Sequence, residues 1–339
     1  MDLLVKSVSA GAAALALLAV PSPAPAADGK GTARMYRVVV TEFPVHDINN
    51  QGQGIGNFVT STGVTHGFIE SGGVRTDLGT LGGYSTAGAI NDRAEVAGLS
   101  LGLDGRVHLF LWARGTMRDL AVLGGSANVT GLNNRGEITG NHTPPGRGNV
   151  PFLFSHGRLR ELPAADPGYL AYSRGINDRG QVVGIAGAEQ AVVWMRGRVR
   201  LIGPRIAPWS LPEDINERGD IVGSAGLPGA ASPSDGKAFL YSNGQTTDLG
   251  TLGGPFAFAV AINKLGQVVG GANIRWLETR AFLYERGRLF NLNDRLLPGS
   301  GWQLEAGVDI NDRGQILAWG FRANQYRIVR LDPVRWNPP

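Results

Sequence analysis

This chain predicts an all-β fold: a seven-bladed β-propeller of four-stranded antiparallel blades, with an N-terminal strand completing the last blade. Three observations lead there. Variants of Ile-Asn-Asp-x-Gly-Gln-Val-Val-Gly occur seven times, beginning at Ile48, Ile90, Leu132, Ile176, Ile215, Ile262 and Ile310. Their asparagines are 42, 42, 44, 39, 47 and 48 residues apart, and a period of roughly 40–50 residues suits one propeller blade. Finally, the chain starts with one strand too many and ends one strand short, which is what ring closure requires.

The elements follow in order. Residues 1–26 read as a signal peptide: Lys6, an apolar run from Ala10 to Val20, and a small-residue site at Ala24-x-Ala26. The run is short of the ~20 apolar residues that span a bilayer, and no other segment is apolar enough to do so. Residues 27–34 form a linker, residues 35–334 one propeller domain, and residues 335–339 a tail. Met35 to Glu42 is the spare strand. At the far end Gln325 to Leu331 is a single strand with no partner behind it.

Within the repeat, the stretch from Ala238 to Gly270 serves as the unit. Ala238-Phe239-Leu240-Tyr241 is a strand, Ser242-Asn243-Gly244 a turn, and Thr246 to Leu252 a second strand closed by Gly253-Gly254. Phe258 to Ile262 is a third strand, Asn263-Lys264-Leu265-Gly266 a turn, and Gln267-Val268-Val269-Gly270 a fourth strand. The asparagine side chain bonds backbone further along the turn, and the glycine takes the positive φ that closes it. Six of the seven copies keep this glycine, and Ala94 replaces it in the second. Small residues before the isoleucine (Ala89, Gly131, Gly175, Ala261) let the innermost strands crowd together.

Composition narrows the function. The formal charge is +4, and only Lys6, Lys30, Lys237 and Lys264 among 32 basic residues are lysines. Arginine dominance points to bidentate contacts with carboxylates or phosphates, but the basic residues are not clustered on one element as a nucleic-acid binder requires. The chain has no cysteine, which removes disulfides, thiolate metal sites and thiol nucleophiles.

Three motifs in one register carry a family resemblance: His66-Gly67-Phe68, His108-Leu109-Phe110, Ala238-Phe239-Leu240-Tyr241 and Ala281-Phe282-Leu283-Tyr284; Asp77-Leu78-Gly79-Thr80-Leu81-Gly82-Gly83 and Asp248-Leu249-Gly250-Thr251-Leu252-Gly253-Gly254; and the seven asparagine copies. Together they resemble the bacterial HAF-repeat family of probable extracellular repeat proteins, over essentially the whole mature chain. Blades three to five depart from the pattern: Pro151-Phe152-Leu153-Phe154 lacks the histidine, and Leu201-Ile202-Gly203 replaces the Leu-Gly-Thr-Leu-Gly-Gly run. The resemblance implies export and a propeller-like repeat fold, and brings no reaction or catalytic residue with it.

The candidate chemistry is sparse. His66 and His108 share a repeat position, which favours a structural role. His46 precedes Ile48, His156 falls in a turn, and His142, read as part of an insertion running to Arg147, is the one histidine worth testing. No HExxH, Gly-x-Ser-x-Gly or phosphate-cradling loop occurs. Asp47, Asp214 and Asp309 hint at Asp-x-Asn calcium loops, but the fifth positions are Gln51, Arg218 and Arg313 and the twelfth Phe58, Ala225 and Gly320, so turns are expected rather than metal sites. The three aspartates face the central channel in this reading. No cofactor and no metal is expected.

Strand alternation places the Asn-x-x-Gly turns and the Asn-Gly or Arg-Gly turns on one face and all long insertions on the other. These insertions span 101–107, 141–150, 164–171, 204–212, 224–236, 271–279 and 293–304. The connections on that face, these insertions among them, carry Tyr84, Tyr169, Tyr172, Trp209, Phe256, Trp276 and Trp302, beside Arg106, Arg147, Arg205, Arg275 and Lys237. Tyr84, Tyr169, Trp209, Trp276, Trp302, Arg147 and Arg275 are the candidate ligand-binding residues, since aromatic faces beside arginines suit acidic sugar rings or a protein partner. The bland alternative is that the rings plug the top of the propeller. On the opposite face, Arg93, Arg135, Arg179, Arg218 and Arg313 recur, and acids directly before several of them suggest local charge compensation.

The expectation is therefore an exported, periplasmic or extracellular, non-catalytic binding scaffold for a glycan or protein partner of the cell envelope, with no nucleic acid and no membrane span. A polysaccharide lyase or hydrolase is the alternative. Asp104, Asp166, Asp235 and Glu278 are the acids available to it, with nothing to show that two converge. An adhesive surface protein is a third reading.

Overall fold

The repeated asparagine builds its own turn. Asn49 Oδ1 accepts the backbone N–H groups of Gln51 and Gln53, both at 3.0 Å, while its Nδ2 donates to Gln53 Oε1 at 2.8 Å. The motif therefore needs a side-chain oxygen four residues after the asparagine. Gln53, Glu95, Glu137, Gln181, Asp220, Gln267 and Gln315 supply it in the seven blades. Ala94 sits at φ 56°, where the other copies have glycine, at a cost of roughly 1–2 kcal/mol.

The computed structural model describes residues 34–164, 170–187, 190–202, 209–226 and 236–335, and these form seven four-stranded sheets. After β1 (Arg34–Val39), blade one is β2 (Val45–Ile48), β3 (Gly54–Val59), β4 (Thr65–Ser71) and β5 (Val74–Asp77). Blade two is β6 (Gly82–Ile90), β7 (Val96–Gly102), β8 (Val107–Ala113) and β9 (Thr116–Leu123). Blade three is β10 (Ala127–Leu132), β11 (Ile138–His142), β12 (Val150–Ser155) and β13 (Arg158–Glu161). Blade four is β14 (Ala171–Ile176), β15 (Val182–Ala186), β16 (Gln190–Met195) and β17 (Arg198–Leu201). Blade five is β18 (Ser210–Ile215), β19 (Ile221–Ala225), β20 (Lys237–Ser242) and β21 (Gln245–Asp248). Blade six is β22 (Ala257–Ile262), β23 (Val268–Arg275), β24 (Glu278–Glu285) and β25 (Arg288–Asn291). Blade seven is β26 (Gln303–Ile310), β27 (Ile316–Arg322) and β28 (Gln325–Arg335), with β1 as its fourth strand.

The closure expected from the sequence is present: β1 runs antiparallel to β28, with Val38 opposite Leu331 and Arg34 opposite Arg335. It uses one residue of the linker and one of the tail. Two boundaries need correction. The 238–270 unit straddles two sheets, because its first two strands end blade five and its last two begin blade six. The second strand of that unit stops at Asp248, where the aspartate Oδ1 accepts the N–H of Gly250 at 2.8 Å and turns the chain.

No single core exists; seven apolar clusters fill the seven gaps between neighbouring blades. The gap between blades seven and one is filled by Leu317 against Val45, Ile48 and Phe68. Packing within a blade explains the last residue of Val-Val-Gly. Gly98 lies opposite Phe110, and a Cβ there would stand 2.5 Å from the ring's Cζ and collide with the carbonyl oxygen of Thr86. Gly56 with Phe68, Gly140 with Phe152 and Gly184 with Trp194 repeat the arrangement. The glycine and the aromatic residue of the two motifs are thus one contact.

Candidate functional site

Three sets of side chains merit attention: the axial mouth, the aspartates of the channel, and the long-loop face. At the mouth, each repeated asparagine uses its second amide hydrogen to bond the next blade. Asn49, Asn91, Asn133, Asn177, Asn216, Asn263 and Asn311 donate in turn to the carbonyl of the following one, at 2.9–3.1 Å, and Asn311 returns to Asn49. Every donor and acceptor of these amides is used, so they are a fastening rather than a free binding group.

The residue after each asparagine rings a cavity of about 220 Å³ whose lining includes Asn50, Asp92, Asn134, Asp178, Glu217, Lys264 and Asp312. Backbone N–H groups of this ring bond the next blade's side chain, as from Asn50 to Asp92 at 2.9 Å and from Asp312 to Asn50 at 2.7 Å. This corrects the expected compensation of the arginines. Asp92 turns inward to the ring, whereas Arg93, Arg135 and Arg218 pair with the acid two residues later, Glu95, Glu137 and Asp220. Burial, reinforced by the charge of Asp178, raises the Glu217 carboxyl above its ordinary range.

Inside the channel, Asp47, Asp214 and Asp309 satisfy edge N–H groups of the next innermost strand: Ile90 at 3.0 Å, Ile262 at 2.9 Å and Ile48 at 2.9 Å. Burial, then the neighbouring Asp47, pushes Asp309 well above the ordinary carboxylate range. Among the described residues, no group of three or more His, Asp or Glu side chains is placed to hold a metal ion.

On the long-loop face, histidines staple outer strands. His66 Nδ1 meets Asp77 at 2.9 Å. His108 is held on both sides, by Asp119 at 2.8 Å and Asp104 at 3.0 Å. The Asp104 bond raises its pKa, outweighing burial. Both ring nitrogens are thereby committed, and Ser100, opposite His108, gives its hydroxyl proton to the Tyr84 carbonyl at 2.9 Å; they are not paired as nucleophile and base. His142 ends β11 rather than lying in an insertion. It is 7% exposed, edge-on to Phe152, and neither ring nitrogen has a hydrogen-bond partner. Its Nε2 is 3.8 Å from Glu161 Oε1, and Glu161 is in turn held by Arg147 at 2.9 Å. Blade three thus lacks the histidine on its third strand but brings one to the same acid from its second.

The described sequence candidates share this face without converging. Tyr84 is 39% exposed on β6. Trp209 is 8% exposed, its ring lying against Gly226 and Gly236, and Trp302 packs on the apolar cluster between blades six and seven. These two behave as plugs. Arg147 is tied to Glu161 and Arg275 to Glu278. Tyr169, Arg205, Asp166 and Asp235 lie outside the described residues. The 271–279 stretch is no loop but the continuation of β23 and β24, lifting Trp276, 66% exposed, and Leu277, 94% exposed, to a hairpin tip. None of the six described candidates lines the axial cavity.

Sequence reasoning missed the aliphatic part of this face. Of the exposed large hydrophobics among the described residues, only Val74, Met195 and Leu265 lie toward the short-turn face. The rest, Leu103, Leu170, Leu277 and Tyr326 among them, lie toward the long-loop face. No single motif announces this bias. It emerges only when strand direction sorts the residues by end.

No family model matches the chain, and no curated protein matches it. Solved structures do. The β-propeller domain of the Trilobed protease from Pyrococcus furiosus matches with a TM-score of 0.60 and 10% identity, over 90% of this chain and 96% of that one. Virginiamycin B lyase from Staphylococcus aureus matches at 0.55 and 13%, over 90% and 97%. A puromycin-hydrolysing peptidase from Mycobacterium tuberculosis matches at 0.56 and 15%, over 92% of this chain but 53% of the longer one. At these identities the likeness is one of fold.

Proposed function

We propose that this chain is an exported, non-catalytic interaction scaffold of the HAF-repeat type that engages a protein partner of the cell envelope through its long-loop face. The supporting observation is the one-sided distribution of exposed hydrophobics. Isolated exposed apolar side chains are ordinary, but their collection on one end of a molecule marks an interaction surface. Leu277 strengthens the argument, since it is 94% exposed at φ 61°, where a glycine or asparagine would be cheaper. The axial cavity carries less weight, because its rim side chains are largely spent on one another.

A glycan is the second reading, favoured by the exposed indole of Trp276 beside Arg275. The two are separated by capture from an envelope extract and by a glycan array, each with wild type and with a Trp276→Ala/Leu277→Asp variant of unchanged melting temperature. Protein capture lost in the variant supports the scaffold reading. An array signal lost in the variant transfers the site to sugars, and capture that survives the substitution refutes the assigned face.

A further inference from the structure

The hairpin of β27 and β28 presents an open strand edge on the long-loop face. Ala323 and Asn324 form its two-residue turn, both at positive φ, and Arg322 lies opposite Gln325. The pair flanking such a turn is hydrogen-bonded, and bonded and non-bonded pairs then alternate along an antiparallel ladder. Tyr326 and Ile328 therefore direct their N–H and C=O groups away from β27. On that outer side β1 reaches no further than Val39, opposite Arg330. The edge from 325 to 328 is left without a neighbouring strand, and residues 322–327 are all exposed.

The two faces of this hairpin differ in chemistry. Trp319, Phe321 and Tyr326 share the side facing blade one. Trp319 stacks on Tyr326 with centroids 5.6 Å apart, and Phe321 lies 5.1 Å from the same ring. Trp319 and Tyr326 remain 37% and 51% exposed. Arg322 and Arg327 share the other side. Among the described residues neither has a carboxylate within ion-pair reach, whereas Arg330, three residues beyond Arg327, is held by Asp332.

We infer that this edge takes an extended peptide segment of a protein partner by strand addition, a segment in which acidic and apolar residues alternate. An unpaired edge specifies an extended backbone. In an added strand, successive side chains point to opposite faces, so one set meets the aromatic side and the other meets the arginines. The inference rests on the protein-partner reading of the long-loop face and names the kind of segment bound there.

The test is selection from a displayed library of linear ten-residue peptides against the whole propeller, followed by affinity measurement with synthetic copies. Enriched peptides should alternate Asp or Glu with apolar residues. Their affinity should fall about tenfold or more in an Arg322→Glu/Arg327→Glu variant, and should disappear when alternate peptide nitrogens are methylated. Arg322→Lys/Arg327→Lys should keep most of the affinity. Failure to enrich any peptide, or binding indifferent to charge reversal or to N-methylation, overturns the inference. Binding lost to Trp276→Ala/Leu277→Asp but not to charge reversal overturns it too, while leaving the wider reading of the face intact.

Discussion

The side-chain amide of Asn311 donates to the backbone carbonyl of Asn49, 262 residues earlier, at 2.9 Å. It is the last link of a seven-membered circle that otherwise joins consecutive blades. The same two blades are joined again at the periphery, where β1 is the outer strand of blade seven and its chain continues into blade one.

Breaking that link should loosen the ring. Asn311→Ala removes two N–H donors and the one oxygen that accepts the Arg313 and Gln315 N–H groups, and leaves the Asn49 carbonyl with only the Gly52 N–H, a loss of about 2–4 kcal/mol from several unmade bonds. Urea unfolding would measure it. Deleting residues 35–43 should lower the melting temperature further, because it exposes the edge of β28 and opens the apolar gap beside Leu317. A melt unchanged by the deletion would refute closure at this seam.

Gly98→Ala should destabilise by about 3 kcal/mol or more, as overpacking against rigid neighbours does. Shortening the ring with Phe110→Ala should not rescue it, since the backbone oxygen of Thr86 blocks the same space. Rescue in the double variant, measured by thermal melts, would mean that the ring alone sets the constraint.

Asp309 makes stability depend on pH. Its folded pKa is raised, so its contribution is complete below the unfolded value near ~4 and is lost as pH rises through the folded one. Asp309→Asn should flatten the fall in unfolding free energy between acid and neutral pH. An unaltered slope would show that Asp309 ionises in the folded protein as it does in the unfolded chain.

His142 acts in the opposite sense. Burial lowers its pKa, more than Glu161 restores it, so stability is present above the unfolded value of ~6.5 and is lost as pH falls through the folded value. His142→Leu should raise the melting temperature in mild acid and change it little at pH 8. A carbon-detected NMR titration of the ring should find its midpoint below that of the unfolded chain; a midpoint above it would mean that Glu161 dominates.

Legibility in the sequence varied by element. The Asn-x-x-Gly turns, the aromatic strands and the Asp-Leu-Gly turn at Asp77 and Asp248 use local chemistry, so the residues that form them are near in sequence and their pattern can be read directly. The His142 contact was not legible, because β11 ends later than its turn residues suggest and only the register sets it beside Glu161. Trp319 and Tyr326 escaped for the same reason: seven residues apart, they meet only because a two-residue turn folds one strand onto the next. Trp209 looked like an exposed platform and proved to be buried, since glycines at 226 and 236 leave room for its ring.

By itself, the sequence determined the number of blades, the strand that closes them and the end of the molecule to which each connection belongs. These follow from a period, a count of strands and the direction of the chain, all one-dimensional quantities. The tertiary structure decided which side chains are spent and which remain available. Cross-blade partners such as Asn311 and Asn49 are fixed by the curvature of the ring, and strand-edge partners by pleat and register, and no local pattern encodes either.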